Sequence, residues 1–175
     1  MKLVRDDRAR FDLDEFLACP LMAHLATRSE EGARESPLWY LWEDRSLWFI
    51  VEEGYNTFQH RVLVQSHVAV GFVDLDPGVG HLQHAGVRGP ATVAPWDDAR
   101  ASRLLRRYYR HLQGYRDPRV SPDEKTTGRH PMVFVRVAPE TVVLREPSYR
   151  EFVVNDAGPD PAGGGGGSGN RAVGS

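Results

Sequence analysis

The residues whose types could do chemistry are concentrated between Arg34 and Val62, in the stretch RESPLWYLWEDRSLWFIVEEGYNTFQHRV. Trp39, Trp42 and Trp48 offer flat apolar surfaces of the kind that line a pocket for a planar ring. Further on, Asn56 and Thr57 are capping residue types in front of Phe58 and Val62, and they predict the start of a helix. The unpaired N–H groups at a helix start attract a phosphate. An aromatic wall next to such a helix start is the outline of a flavin-nucleotide site. Each feature also has a plain structural reading, since tryptophans pack cores and interfaces and a cap needs no ligand.

Other familiar chemistries find no footing. The sequence holds no phosphate-cradling G-x-x-x-x-G-K and no zinc-binding H-E-x-x-H. Cys19 is the only cysteine, which excludes an intrachain disulfide and points to a reducing compartment. No Ser–His–Asp set stands out, and no catalytic side chain is assigned. His81 and His84 are spaced like a ligand pair, but on a strand positions three apart face opposite ways, so no metal site is predicted there. His24, His60, His67, His111 and His130 lack partner spacing. Arg100, Arg103, Arg107 and Arg110 fall along one helix and read as a solvated face.

The elements that must position these residues follow from periodicity and punctuation. Residues 1–11 are charged and predict a flexible lead-in. Asp12 with Glu15 three positions later reads as a capping box for a short helix stopped by Pro20. Leu21–Ser29 alternates, with Leu21, Ala23, Leu25 and Thr27 on the buried face. After a hairpin turn at Glu30–Ala33, Arg34–Glu43 and Ser46–Glu52 predict a second hairpin around Glu43-Asp44-Arg45-Ser46. Pro37 cannot donate to a ladder, so its position must be an edge or a bulge.

A helix over about Thr57–Ser66 comes next, followed by strands at His67–Leu75 and Leu82–Pro95. In the second of these, Gly86 and Gly89 predict bending or the close approach of another backbone. Asp97–Gln113 is the clearest helix, with Ala101, Leu105, Tyr108 and Leu112 as its apolar stripe. Tyr115–His130 predicts a long loop, a lid in which Lys125, Thr126 and Thr127 would come near a substrate. Strands at Pro131–Ala138 and Glu140–Glu146 end the ordered part, and residues 155–175 are a Gly-rich tail that predicts disorder. About six or seven mostly antiparallel strands with outlying helices predict an α+β chain, a closed or partly split barrel.

The balance of 22 basic against 24 acidic residues in 175 implies no large nucleic-acid footprint. No apolar run approaches a membrane span and no secretory leader is recognisable, so a soluble cytoplasmic protein is expected.

The order of motifs adds to this. FLACPLMAHLAT, GARESPLWYLW, SLWFIV, a helix, SHVAVGFV and GVRGPATV, taken together, resemble the pyridoxamine 5'-phosphate oxidase-like family of split β-barrel proteins. The resemblance covers residues 13–146 and implies a split-barrel cofactor-binding domain over residues 12–150. It implies a homodimer with cofactors at the subunit interface: FMN in many members, a deazaflavin coenzyme in others and haem in a few. The implied activity is hydride transfer to or from a small-molecule substrate, and a non-catalytic flavin- or haem-binding dimer is the alternative. Carried over by position, Ser36, Pro37, Leu38 and Trp39 would border the isoalloxazine ring. Phe49, Ile50 and Val51 would line the ribityl chain, and Asn56 and Thr57 would sit near the phosphate, with Arg88 adding positive charge. The sequence departs from the family at Thr57 or Phe58, where a Lys or Arg is usual; Arg61, one turn on, or His60 is the expected replacement. Val51 stands where the family carries a hydroxyl.

Overall fold

The computed structural model describes residues 1–54, 58–109, 126–127 and 130–147. Asn56, Thr57, Arg110, Leu112, most of the expected lid including Lys125, and the Gly-rich tail lie outside the described residues. The chain runs β1 (Lys2–Arg5), α1 (Leu13–Ala18), β2 (Ala23–Ser29), β3 (Gly32–Leu38), β4 (Leu41–Glu43), β5 (Ser46–Glu52) and α2 (Phe58–Val64). It continues through β6 (His67–Asp76), β7 (His81–Ala94), α3 (Asp98–Tyr109), β8 (Thr126–Thr127), β9 (His130–Val137) and β10 (Thr141–Arg145). None of the described helices is long and apolar enough to cross a membrane.

The main strand path is β3-β2-β6-β7-β9-β5-β4. Its pairings are antiparallel throughout. Strand β7 is long enough to serve both halves. Its residues from His81 to Pro90 pair with β6, and those from Ala91 to Ala94 pair with β9. The ends of the path, β3 and β4, are neighbours in sequence yet form no ladder with each other, so the barrel is split between Leu38 and Leu41. Alternation places Ala23, Leu25, Val70, Phe72, Ala85 and Val87 inside, where α1, α2 and α3 contribute Leu17, Phe58, Val62, Leu104 and Leu105.

Several boundaries match the sequence reading. The carboxylate of Asp12 accepts from the N–H groups of Asp14 (2.8 Å) and Glu15 (3.0 Å), as a helix cap requires. Pro37 lies on β3, an edge strand, the setting in which a sheet tolerates proline. A side chain at Gly89 would collide with the Ala138 carbonyl oxygen, the close backbone approach that glycine permits.

Three expectations are corrected. Arg34–Glu43, expected as one strand paired with Ser46–Glu52, is broken: residues up to Leu38 pair with β2 across the expected hairpin turn, and only Leu41–Glu43 pairs with β5. The strand breaks because the N–H of Tyr40 donates to the Tyr108 hydroxyl of α3 (3.2 Å), taking Tyr40 out of any ladder. Residues 2–5, expected to be loose, form a strand parallel to β10. That pairing is made of backbone bonds on the free edge of β10, so it needs no apolar pattern in the four residues that make it. With the split strand and the two-residue β8, the described residues hold ten strands instead of six or seven.

Candidate functional site

Strand β3 is the natural starting point, because among the described residues one of its edges has no strand neighbour. Arg34, Ser36 and Leu38 are opposite Thr27, Leu25 and Ala23, the inward-facing residues of β2. They therefore share the inner face of the sheet, where β3 overhangs the core. Glu35 and Pro37 face outward with His24.

At the Arg34 end this face opens into a cleft of about 450 Å³ between the β2–β3 hairpin and α2. Arg28, Arg34, His60 and Arg61 line it, together with Glu30 and Glu31. Arg61 donates from Nε to the hydroxyl of the buried Thr27 (2.8 Å), and Arg34 pairs with Glu31. Burial disfavours the Arg61 cation, and the Arg34 charge disfavours it further; both push its pKa below the usual arginine value. Arginine stays charged in proteins, so the cleft holds two like charges that an anion relieves. Glu31 competes for Arg34, and a phosphate would have to displace it.

At the other end, Leu38 leads to Trp39 and the split in the barrel. Trp39 stacks on Tyr108 of α3, with ring centroids 5.0 Å apart and planes 5° from parallel. The Tyr108 hydroxyl donates to the Leu21 carbonyl (2.8 Å) while accepting from Tyr40. Burial raises the pKa of this phenol, so it remains a donor across the physiological range. Arg107 reaches the Leu17 carbonyl (2.5 Å) and that of Cys19, the open C-terminal end of α1, and lies over the Tyr40 ring at 4.6 Å. Helix α3 therefore fixes the chain where it crosses from one half-barrel to the other.

The same helix overturns one expectation. Arg103 is exposed but Arg100 is half-buried, and neither charge is left to solvent alone. Both bind Glu43 of β4, from Arg100 Nε (2.9 Å) and Arg103 Nε (2.8 Å), and Arg100 also lies 3.7 Å from the centroid of Trp48. Arg103 as a donor, ahead of Arg100, holds the Glu43 carboxyl below the usual range. These arginines are structural, because their charges are already matched within the chain.

The sequence-derived site residues fall into groups. Ser36, Leu38 and Trp39 lie along the inner face of β3 or just beyond it, and Pro37 lies on the opposite face. Phe49 and Val51 are buried in β5, in the other half-barrel, and the half-buried Ile50 is the more accessible of the three. Phe58 is also buried, and its side chain belongs to the core. Of the two positions where the resemblance implies a Lys or Arg, Phe58 is a packing position and Thr57 lies outside the described residues. Arg61 lines the cleft. Arg88 does not; it lines a neighbouring groove on the outer side of the sheet, which shares Arg28 with the first cleft. Arg28 and Arg34 were not among the sequence-derived residues. Arg34 was detectable, because it stands two positions before Ser36 and so shares its face. Arg28 was not, since only the folded hairpin brings it to α2. Among the described residues no group of three metal-ligating side chains comes together.

No protein-family model matches the chain, and no curated protein is similar to it in sequence. Solved structures are similar in fold. A conserved hypothetical protein from Mycobacterium tuberculosis superposes with a TM-score of 0.63 at 17% identity, over 92% of this chain and 97% of that one. An FAD-binding protein from Mesorhizobium loti gives 0.59 at 19% identity, over 81% and 98%. An F420 reductase gives 0.54 at 20% identity, over 74% and 94%. Together with the split strand path, these likenesses show that the chain has the split-barrel fold of the pyridoxamine 5'-phosphate oxidase-like proteins.

Proposed function

We propose that the protein is an oxidoreductase that binds a flavin-type cofactor, FMN in the first reading and a deazaflavin coenzyme in the alternative. It works as a cytoplasmic homodimer with the cofactor at the subunit interface. The observation that carries this is the single face of β3: a cationic cleft at Arg34 and Arg61, then Ser36, then Leu38 and the braced Trp39. Arg34 and Leu38 are four residues apart, about 13 Å along a strand, a span suited to a phosphate at one end and a ring at the other. When bound, such a cofactor supplies hydride transfer to or from a small-molecule substrate.

The chain's own residues have separate tasks. Arg34 and Arg61 hold the phosphate by charge-assisted bonds, which compensates for the phenylalanine at position 58. The edge of β3 without a strand neighbour presents backbone N–H and C=O groups near Ser36–Leu38 to the polar rim of a ring. Trp39 and Leu38 give an apolar wall that excludes water. Val73 and Leu75 of β6 and Met22, just before β2, are exposed, and this supports association with a second copy.

Titration of the purified protein with FMN and with the deazaflavin coenzyme, followed by absorbance, tests the reading. Saturable binding is expected, and Arg34→Ala and Arg61→Ala should each weaken it by about tenfold or more. Full affinity in both variants would remove the phosphate assignment. The buried Phe58 favours a second reading, a dimer that binds flavin or haem without turning over. Reduction of the bound cofactor by a nicotinamide donor, followed by turnover with an acceptor, decides against it; a Soret band in the purified protein decides for haem.

A further inference from the structure

Strands β3, β2, β6, β7, β10 and β1 stand side by side, and the register carries one outward-facing row straight across them. It runs from Glu35 on β3 through Ala26, Ala69, Arg88 and Thr141 to Lys2 on β1. The neighbouring row has Gly71 and Gly86 at its centre, with Val143 and Val4 beyond them. Val4, Met22, Val73 and Leu75 are exposed on or beside this face, so it lies open among the described residues. A broad face of small and apolar side chains is a surface for association. Its charges fit a second copy of the chain. A two-fold axis parallel to the strands, passing between β6 and β7, sets β3 of each copy against β1 of the other, and Glu35 then meets Lys2 of the partner subunit at both ends. With strands about 4.8 Å apart and a rise of about 3.3 Å per residue, the face measures roughly 29 Å across and roughly 20 Å from Ala69 to Leu75. Two such faces bury on the order of 1,100 Å², above the roughly 1,000 Å² expected of a specific interface.

His84 stands in the middle of this face. It lies between Val73 and Arg145 in the register, and its ring leans over Gly86, where an added Cβ would meet it at 3.4 Å. The other histidines of β2, β6 and β7 have carboxylates: His24 has Glu35 at 2.7 Å, His67 has Glu140 at 3.5 Å and His81 has Asp74 at 3.4 Å. Around His84, β10 brings Arg145 and β7 brings Arg88, while β6 brings the uncharged Gly71, Val73 and Leu75. The carboxylates of the face, Glu35 and Glu140, stand with His24 and His67. The Nδ1 atom of His84 is buried and has no hydrogen-bond partner among the described residues. An imidazolium is a donor at both nitrogens, so the charged form leaves a buried N–H unpaired. Burial, and then the Arg145 charge, push the pKa of His84 below the usual histidine value.

We infer that the homodimer forms through this face and is governed by His84: it assembles while the imidazole is neutral and comes apart in acid. The inference rests on the homodimer proposed above and specifies its surface and its regulation. In the dimer, Val73 of the partner subunit lies over His84 and Arg145 lies beside it, whereas in a free copy the ring is open to water. The free copy therefore takes up the proton more readily than the dimer does. Association is full near neutral pH and is lost as the pH falls below the usual histidine range. The same two-fold brings β1 of the partner subunit beside the edge strand β3, so the state of His84 reaches the proposed cofactor site.

The experiment is sedimentation of the full chain over a range of concentrations at about pH 7.5 and about pH 5, with His84→Gln, His24→Gln and Val73→Arg run alongside. The dimer dissociation constant of the full chain should rise about tenfold or more between the two pH values. His84→Gln should be dimeric at both, because glutamine takes up no proton. His24→Gln should keep the pH dependence of the parent, because His24 has the Glu35 carboxylate beside it. Val73→Arg should be monomeric at both, because it sets a charge over His84 of the partner subunit. Val73 is exposed on a paired strand, so the far-ultraviolet circular dichroism of this variant should be unaltered; Leu75→Arg, exposed on the same face, gives the reading if it is not. A parent dimer that does not respond to pH would overturn the inference and leave the homodimer standing. So would a response that survives in His84→Gln, a His84→Gln chain that is monomeric at both pH values, or a dimer that persists in the arginine variants. A parent chain that is monomeric at about pH 7.5 would remove the homodimer reading, and this inference with it.

Discussion

At the scale of single residues, the arrangement is governed by what each side chain excludes or neutralises. Gly89 has no room for a side chain, because the Ala138 carbonyl occupies that space. Gly89→Ala should cost about 1–3 kcal/mol or more in chemical denaturation, as an overpacked site does. Gly71, a glycine on the same sheet whose nearest neighbour would be 4.0 Å away, gives the control. Gly71→Ala should be neutral or slightly stabilising. Glu43 supplies a pH dependence of known sign. Its folded-state pKa lies below the ordinary 4.5, so its contribution is present above that value and disappears as the pH falls through the lower folded value. Glu43→Gln should lower stability at neutral pH and flatten the acid limb of the stability profile, measured by urea melts at several pH values. An acid limb identical to that of the parent would show that the Arg100–Glu43–Arg103 cluster is not coupled to folding.

At the scale of elements, α3 stands out as a latch. Its residue Tyr108 holds the Tyr40 N–H, the Leu21 carbonyl and the Trp39 ring at once. Tyr108→Phe keeps the stacking surface and removes the hydroxyl. It should cost about 1–2 kcal/mol and speed hydrogen exchange at the Tyr40 amide, while amides of β5 such as that of Phe49 stay protected. Unchanged exchange at Tyr40 would mean that the crossing is held by other contacts. Much of this scale was legible in the sequence. The alternation of residues 21–29, the capping at Asp12 and the edge position of Pro37 each rest on a local rule, and local rules survive folding. The break at Trp39–Tyr40 was not legible, because it depends on a hydroxyl 68 residues away. Strand β1 was hidden for a related reason: a four-residue strand with all side chains exposed leaves no pattern.

At the scale of the whole molecule, the split barrel turns one long strand face into a site. The site was half legible. Ser36 and Leu38 share the inner face of β3, Trp39 follows it, and Arg61 of α2 lines the cleft at the Arg34 end of that face. Phe49, Val51 and Phe58 are core residues whose side chains serve packing, and Arg88 belongs to a second groove. Sequence spacing alone cannot tell the two sides of a sheet hairpin apart until the register is known. The proposed dimer has its own test at this scale: sedimentation velocity should give twice the mass of one chain, and a monomer that still binds flavin would separate the site from the interface.

The most direct test of the flavin-type site is a single titration. The purified chain is mixed with increasing FMN, FAD or deazaflavin coenzyme, and the absorption band of the ring is followed to saturation, with the Arg34→Ala/Arg61→Ala double variant run in parallel. The expected result is a shifted, saturable band for at least one cofactor in the parent chain and a large loss of affinity in the variant. No saturable change with any of them, or equal binding by the double variant, would contradict the proposed site on β3.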